Sequence, residues 1–279
     1  MDRARIDGGE LAYEVRGAGE PVVLVHGAHI ADAFAPLLAE PALTERYRLL
    51  LYHRRGFAGS THEEGPLSIA QQAADCRALM RHLGVPRAHV VGHSYGGVIA
   101  LQLAIEAPDA VHSLALLEPA LFMVPSSPQF MEAMGPVLRM YEAGNKTGAV
   151  DRFLQTVVGP EYRGVLDRVL PGAFAQAVAD ADTFFRIELP ALERWSFTPA
   201  EAGRITQPVL AVLGADSHTL WEGWVEGHHL VQAWLPQTEA FVLQGATHGL
   251  QLIDPRGMAA GLASFFARHP LPERTSAHM

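Results

Sequence analysis

Short apolar runs alternate with amphipathic stretches along most of the chain. Several runs consist almost entirely of apolar side chains, as is typical of strands buried on both faces of a parallel sheet. The first of them follow each other closely, because the turn at residues 17–21 joins two runs directly. The pattern predicts strands at residues 10–15, 22–27, 47–52, 88–91, 114–117, 208–214 and 241–243.

Between these strands, apolar residues recur at helical spacing. Ser68 opens a capping-box sequence, and Ile69, Ala73, Cys76 and Met80 then mark one face of a helix. Similar patterns predict helices at residues 31–43, 68–83, 98–104, 231–235 and 256–268. Alternating strands and helices predict an α/β fold, with a mostly parallel central sheet and helices on both of its faces.

Residues 121–204 interrupt this alternation. They contain no convincing strand pattern, carry several helical patterns, and hold half of the eight methionines. We therefore predict a core formed by residues 1–120 and 205–279, with a helical insertion at residues 121–204. The strand–helix rhythm resumes at residue 208, where the next apolar run begins.

Composition and charge narrow the possible functions. The 279 residues are 49% hydrophobic and 18% charged, with a formal net charge of -9. An acidic chain lacks the basic surface that attracts a polyanion, so nucleic-acid binding is not expected. No apolar run reaches the length of about 18 residues that spans a bilayer, and the first residues do not form a secretory signal. Cys76 is the one cysteine, which fits core packing in a reducing compartment, and we expect a cytoplasmic protein.

The fourteen histidines do not form a metal-binding pattern. They are scattered, and neither a His-Glu-x-x-His sequence nor a Cys/His cluster is present. We therefore predict no catalytic metal and no cofactor.

A Gly-His-Ser-Tyr-Gly sequence at residues 92–96 joins a predicted strand to a predicted helix. In that context a Gly-x-Ser-x-Gly turn is a nucleophile elbow, which projects the serine hydroxyl from a strained turn. Gly92 and Gly96 let the strand and the helix approach closely. Ser94 is thus the candidate nucleophile, and His93, inside the turn, is interpreted as a packing residue.

These residues resemble the α/β-hydrolase superfamily, and the likeness extends over nearly the whole chain. His248 follows the last predicted strand, where the superfamily places the histidine that acts as the base. The resemblance implies that the backbone N–H groups of Tyr95 and Ala28 form the oxyanion hole, with the His26 side chain bracing that loop. It also implies that residues 121–204 form a helical cap.

The acid of the triad is ambiguous in the sequence. Many members of the superfamily carry a Gly-x-x-Asp sequence after the strand that precedes the histidine strand, but here Asp216 comes one residue early, and Ser217 takes its place. Glu118 ends the strand after the elbow, which is the position of the acid in haloalkane dehalogenases and some lactonases. We favour Glu118 and keep Asp216 as the alternative.

Serine at the elbow excludes the chemistry of dehalogenases and epoxide hydrolases of this fold, which use aspartate there. We predict a serine esterase or lactonase that acts on a small molecule with an apolar portion under the cap. The candidate pocket residues are Phe122, Met123, Phe130, Phe184, Phe185, Trp195 and Trp221. One alternative is a carbon–carbon bond hydrolase, in which Arg54 or Arg55 would clamp a substrate carboxylate. Another is a ligand receptor that retains a slow triad.

Overall fold

An eight-stranded sheet forms the centre of the molecule in the computed structural model, which describes residues 1–62 and 65–272. The strand order is β1-β2-β4-β3-β5-β6-β7-β8. β1 and β2 pair antiparallel, as do β2 and β4, and all other neighbours are parallel. The strands are β1 (Asp2–Ile6), β2 (Gly9–Arg16), β3 (Glu20–Val25), β4 (Tyr47–Tyr52), β5 (Ala88–His93), β6 (Val111–Leu117), β7 (Val209–Gly214) and β8 (Thr238–Leu243).

Helices cover both faces of this sheet, as the sequence predicts. On one face, α2 and α3 pack with part of α10 against the core, and on the other face α1 and α12 do so. Cys76 is fully buried within the first of these layers. The helices of the core are α1 (Pro41–Thr44), α2 (Ile69–His82), α3 (Tyr95–Glu106), α10 (Gly223–Trp234), α11 (Leu250–Ile253) and α12 (Pro255–Arg268).

The segment between β6 and β7 is helical. Most of its apolar side chains form a separate cluster that also includes Ile30, Trp221 and Trp224. The end of the segment packs instead on the face of the sheet that α2 and α3 cover, through Phe197, Ala202 and Ile205. Its elements are α4 (Ser127–Glu142), α5 (Lys146–Val158), α6 (Tyr162–Val169), α7 (Ala173–Ala179), a π-helix (Thr183–Glu188), α8 (Leu189–Arg194) and α9 (Pro199–Ala202).

Two parts of the sequence prediction are wrong. The helix expected at residues 31–43 is replaced by a 3-10 helix at Ala35–Ala39 and the single turn of α1. Pro36 and Pro41 lack the N–H group that a continuous helix needs, so each proline begins a new turn instead. The edge strand β1 was also missed, because only two of its five residues are apolar.

No helix in residues 1–62 and 65–272 has the length and apolar character needed to cross a bilayer. The same residues contain no group of three or more His, Cys, Asp or Glu side chains that could hold a metal ion.

Candidate active site

Ser94 lies at the sharp turn between β5 and α3. Its φ of 53° and ψ of -120° belong to a strained conformation for a residue with a side chain. A Cβ atom on Gly96 would collide with the carbonyl oxygen of Val25, and one on Gly92 would collide with that of Gly96. Close approach of the two backbones is therefore what requires glycine on each side of the serine.

Two small cavities meet at Ser94. One, of about 40 Å³, is bordered by Ser94, His248 and Ala28. The other, of about 30 Å³, is bordered by Ser94, Tyr95 and Ala28. Their remaining lining is almost entirely apolar and includes Phe122, Phe130, Phe153, Val157, Phe184, Leu189, Leu192 and Trp224.

His248 follows β8 and is held by a carboxylate. Its Nδ1–H donates to Oε2 of Glu118 over 2.6 Å, and both side chains are almost completely buried. Because a carboxylate accepts this bond, Nδ1 carries the proton, and Nε2 is left as the basic nitrogen. Burial lowers the pKa of His248 to about 3, which keeps the free imidazole neutral.

Glu118 stands at the carboxyl end of β6, beside the ends of β5 and β7. Its second oxygen, Oε1, accepts a hydrogen bond of 2.7 Å from the backbone N–H of Gly214. Burial raises the pKa of Glu118 to about 7, and the bond from Gly214 acts in the opposite direction. Both carboxylate oxygens are thus fixed, one by the backbone and one by His248.

Asp216 lies elsewhere. It is exposed at the start of the turn Ser217–Thr219, and its side chain makes no capping bond there. Of the two acids that the sequence left open, Glu118 is therefore the one bonded to His248.

His93 forms two buried hydrogen bonds through its imidazole. Its Nε2–H donates to the carbonyl oxygen of His248 over 2.8 Å, and its Nδ1 accepts from the amide of Gln251 over 3.2 Å. Burial lowers the pKa of His93 to about 3, so the ring is neutral, as this pair of bonds requires. His93 thus anchors the backbone that carries His248, a contact that the sequence did not reveal.

The two residues expected to supply oxyanion donors lie beside Ser94. Ala28 and Tyr95 both border the cavity, and Tyr95 is the first residue of α3, where backbone N–H groups have no partner within the helix. His26 braces this loop: its Nδ1–H donates to the carbonyl oxygen of Gly27 over 2.8 Å, and its Nε2 accepts from the N–H of Arg54 over 3.0 Å.

The loop after β4 carries two arginines that bind carboxylates of the protein itself. Arg54 contacts Glu188, and Arg55 forms two hydrogen bonds to Asp75. Neither arginine borders the cavities at Ser94. His53, at the start of this loop, donates through Nε2–H to Asp32 over 2.8 Å.

The predicted pocket residues divide into three groups. Phe122, Phe130 and Phe184 border the cavity at Ser94. Trp221 and Phe185 lie behind that wall: Trp221 packs on Phe122 and Phe130, and Phe185 packs on Phe184. Met123 and Trp195 border a separate surface groove of about 270 Å³ that reaches Phe122.

Sequence reasoning missed Phe153, Val157, Leu189, Leu192 and Trp224, which complete the wall. These apolar residues lie on helices or at their ends, and their spacing is that of any buried helix face. No local signal distinguishes a cavity wall from a packed core.

Residues 20–163 match the family of proteins with the alpha/beta hydrolase fold. The match takes in slightly more than half of the chain and includes the elbow and Glu118. The chain therefore belongs to the α/β-hydrolase family.

Particular relatives match shorter parts of it. Over 108 residues the chain is 38% identical to a protein of Azorhizobium caulinodans that is named as a carbamate hydrolase, RutD. The alignment covers 39% of this chain and 40% of that protein. Over 152 residues it is 34% identical to a fluoroacetate dehalogenase of Burkholderia sp., with 50% and 47% covered. The chain thus spans less than half the length of these two curated relatives.

Solved structures resemble the fold over nearly the whole chain. The enol-lactonase of Burkholderia xenovorans LB400 superposes with a TM-score of 0.79 at 21% identity, covering 95% of this chain and all of that one. At this level of identity the likeness concerns the fold alone.

Proposed function

We propose that this protein is a serine hydrolase that cleaves a carboxylic ester or lactone through an acyl-enzyme intermediate on Ser94. One observation carries the proposal: Ser94 and His248 border the same cavity, and the Nδ1–H of His248 is bonded to buried Glu118. A serine needs a base within reach and a third group that holds the base, and these three residues supply those roles.

In the first step, the Ser94 hydroxyl attacks the carbonyl carbon while its proton passes to Nε2 of His248. The tetrahedral oxyanion accepts hydrogen bonds from the N–H groups of Tyr95 and Ala28, each worth about 10²–10³ in rate. Collapse expels the alkoxide, which takes the proton from His248. Glu118 stabilises the imidazolium that forms between these two proton transfers.

In the second step, water attacks the acyl-enzyme. His248 accepts a proton from the water and returns it to Ser94 as the carboxylic acid leaves. The products are one acid and one alcohol, or a hydroxy acid when the substrate is a lactone.

The size and the apolar lining of the two cavities at Ser94 favour a substrate with a short, uncharged acyl group. Its two parts measure about 40 and 30 Å³, and a single water needs about 10–15 Å³ on this scale. The lining is apolar, and a charged substituent would lose its hydration there without gaining a partner. Small acyl groups such as acetyl and propionyl fit this space best.

The alternative of carbon–carbon bond hydrolysis has less support. That reading requires an arginine to clamp a substrate carboxylate, but Arg54 and Arg55 are bound to Glu188 and Asp75. Carbamate hydrolysis is a second candidate, because the name of the relative from Azorhizobium caulinodans points to it. It requires the same attack by Ser94 on a carbonyl carbon.

A substrate panel tests the proposal. The panel consists of p-nitrophenyl acetate, butyrate and octanoate, two lactones and a p-nitrophenyl carbamate, each assayed with the parent and with Ser94→Ala. We expect turnover of short esters or lactones that Ser94→Ala reduces by at least about 10³. Equal rates in parent and variant would overturn the proposal, and binding without turnover beyond background would favour a receptor.

A further inference from the structure

The carbonyl oxygen of Gly27 accepts hydrogen bonds from two buried side chains, the imidazole of His26 and the guanidinium of Arg54. Arg54 donates through Nη2 to the carbonyl oxygen of Gly27 over 2.8 Å and through Nε to that of His26 over 3.0 Å. The Gly27 carbonyl and the Ala28 N–H belong to the same planar peptide group. In a trans peptide these two groups point in opposite directions, so fixing the oxygen also fixes the direction of the N–H.

Arg54 is itself tightly enclosed. Its side chain is 1% exposed, Nη1 donates to Oε1 of Gln72 over 2.6 Å, and the guanidinium lies over the rings of Phe57 and Tyr95. A planar guanidinium can reach several acceptors at fixed angles, which a lysine ammonium cannot do.

The counterion of Arg54 comes from the helical insertion. Glu188, at the end of the π-helix and 134 residues away in sequence, contacts Nη1 of Arg54 through Oε1 and is also 1% exposed. Its second oxygen, Oε2, is buried and has no hydrogen-bond partner among the described residues. Arg54 thus contacts both Glu188 of the helical insertion and the carbonyl oxygens of the loop at residues 26–28. The buried ion pair therefore connects the insertion to that loop.

We propose that Arg54, held by Glu188, is a positioning residue for the oxyanion hole: it orients the Gly27–Ala28 peptide so that the Ala28 N–H faces the oxyanion formed at Ser94. This inference rests on the proposed function and adds to it a residue pair that contacts neither substrate nor nucleophile. A hydrogen bond to the carbonyl also polarises the peptide, which strengthens its N–H as a donor. The contact between Glu188 and Arg54 thereby links the helical insertion to the oxyanion hole.

Arg54→Lys and Glu188→Gln test this role, and Arg55→Lys is the matched control. Arg55 is the adjacent residue and is also buried against a carboxylate, and its guanidinium donates to the carbonyls of Asp7 and Gly8. We expect Arg54→Lys to lower kcat by about 10² and to leave KM within threefold. An Ala28 N–H that no longer faces the oxyanion reduces the rate by as much as removal of an oxyanion donor can. Glu188→Gln should lower kcat about tenfold, and Arg55→Lys less than threefold.

A second measurement separates positioning from general damage to the fold. A trifluoromethyl ketone forms an oxyanion on Ser94, whereas the product acid binds without forming one. Concentrations of active protein are set by titration of Ser94 with a fluorophosphonate, so unfolded molecules are not counted. Affinity for the ketone should fall in step with kcat in both variants, while affinity for the product acid stays within threefold.

The outcomes are decisive in either direction. Loss of kcat without loss of ketone affinity would overturn the inference, and so would wild-type kcat in both variants. If Arg54→Lys does not fold, Glu188→Gln carries the test, because glutamine retains the shape of the side chain and an amide oxygen that still accepts from Nη1 of Arg54. Activity that survives in Ser94→Ala would instead refute the proposed function, and that result is independent of Arg54.

Discussion

The imidazole of His248 lies face to face on the indole of Trp224, with ring centroids 3.8 Å apart and planes 13° apart. When His248 becomes an imidazolium during turnover, its charge lies over the electron-rich face of the indole. Replacement of Trp224 by leucine should therefore lower kcat by about 10-fold, within the 2 kcal/mol range of such contacts. Trp234→Leu, in the same helix, is the control in a steady-state ester assay, and an equal loss there would contradict the assignment.

The two candidate acids should behave very differently. Glu118→Gln removes the charge that stabilises the imidazolium, and we expect kcat to fall by about 10²–10⁴. Asp216→Asn changes an exposed side chain that makes no capping bond, so kcat should stay within threefold. Steady-state kinetics of the two purified variants decides between them. A larger loss in Asp216→Asn would reverse the assignment of the acid.

Activity should depend on pH through the pair formed by Glu118 and His248. Burial raises the pKa of Glu118 to about 7 and lowers that of His248 to about 3, so the active state, with ionised Glu118 and neutral His248, is present above pH 7. We expect kcat/KM to fall tenfold per pH unit below about 7.

In Glu118→Gln this acid limb should move to lower pH, because only His248 then titrates. Burial lowers the pKa of His93 to about 3 and also lowers the pKa of His228, two histidines whose charge would act on Glu118, so burial disfavours the protonated form of both rings. A pH profile with the same acid limb in parent and variant would assign the limb to another group.

Gly96 is expected to tolerate no side chain. A Cβ atom there would collide with the backbone oxygens of Val25 and His26, which cannot move without shifting β3. Gly96→Ala should lower the free energy of unfolding by about 3 kcal/mol or more, as overpacking does. Gly164→Ala, in α6 with open space around it, should raise the free energy of unfolding by about 0.5–1 kcal/mol. Urea denaturation measures both, and equal effects would contradict the packing argument.

The acyl cavity should widen when its wall is cut back. Phe130→Ala removes a ring that borders the cavity, and we expect the preferred p-nitrophenyl ester to shift from acetate towards hexanoate. Phe174→Ala is the matched control, because Phe174 is buried in the same helical insertion but packs against Tyr162 and Arg163. Ratios of kcat/KM along the ester series report the shift, and an unchanged preference in Phe130→Ala would rule out this wall as the size filter.

Local sequence was sufficient to predict the strand, turn and helix that carry Ser94, the candidate nucleophile. Ser94 directly follows the fully buried strand β5. His248 comes five residues after the end of β8, a strand in which only Leu243 is buried, and the resemblance to the superfamily was needed to single it out. The α/β fold followed from the apolar runs, because buried strands and amphipathic helices have different periods. The elbow could be recognised from its local sequence pattern, although the backbone that requires glycine at Gly96 belongs to Val25 and His26, which are distant in the chain.

Contacts between distant residues could not be predicted in this way. Glu118 and His248 are 130 residues apart, and only the neighbouring positions of β6, β7 and β8 bring them together. The Arg54–Glu188 pair joins a loop of the core to the insertion, and nothing near either residue in sequence marks the other. The prediction of one helix at residues 31–43 was wrong for a local reason. The apolar residues there have helical spacing, but Pro36 and Pro41 interrupt the helix.

The Arg54–Glu188 pair also limits how this protein can be rebuilt. Exchanging residues 121–204 for the insertion of another family member, in order to change substrate preference, would remove Glu188 and leave a buried guanidinium without its counterion. Such an orphaned charge destabilises a core by about 3–5 kcal/mol. A graft therefore has to supply a carboxylate at the position of Glu188, or be combined with a neutral residue in place of Arg54.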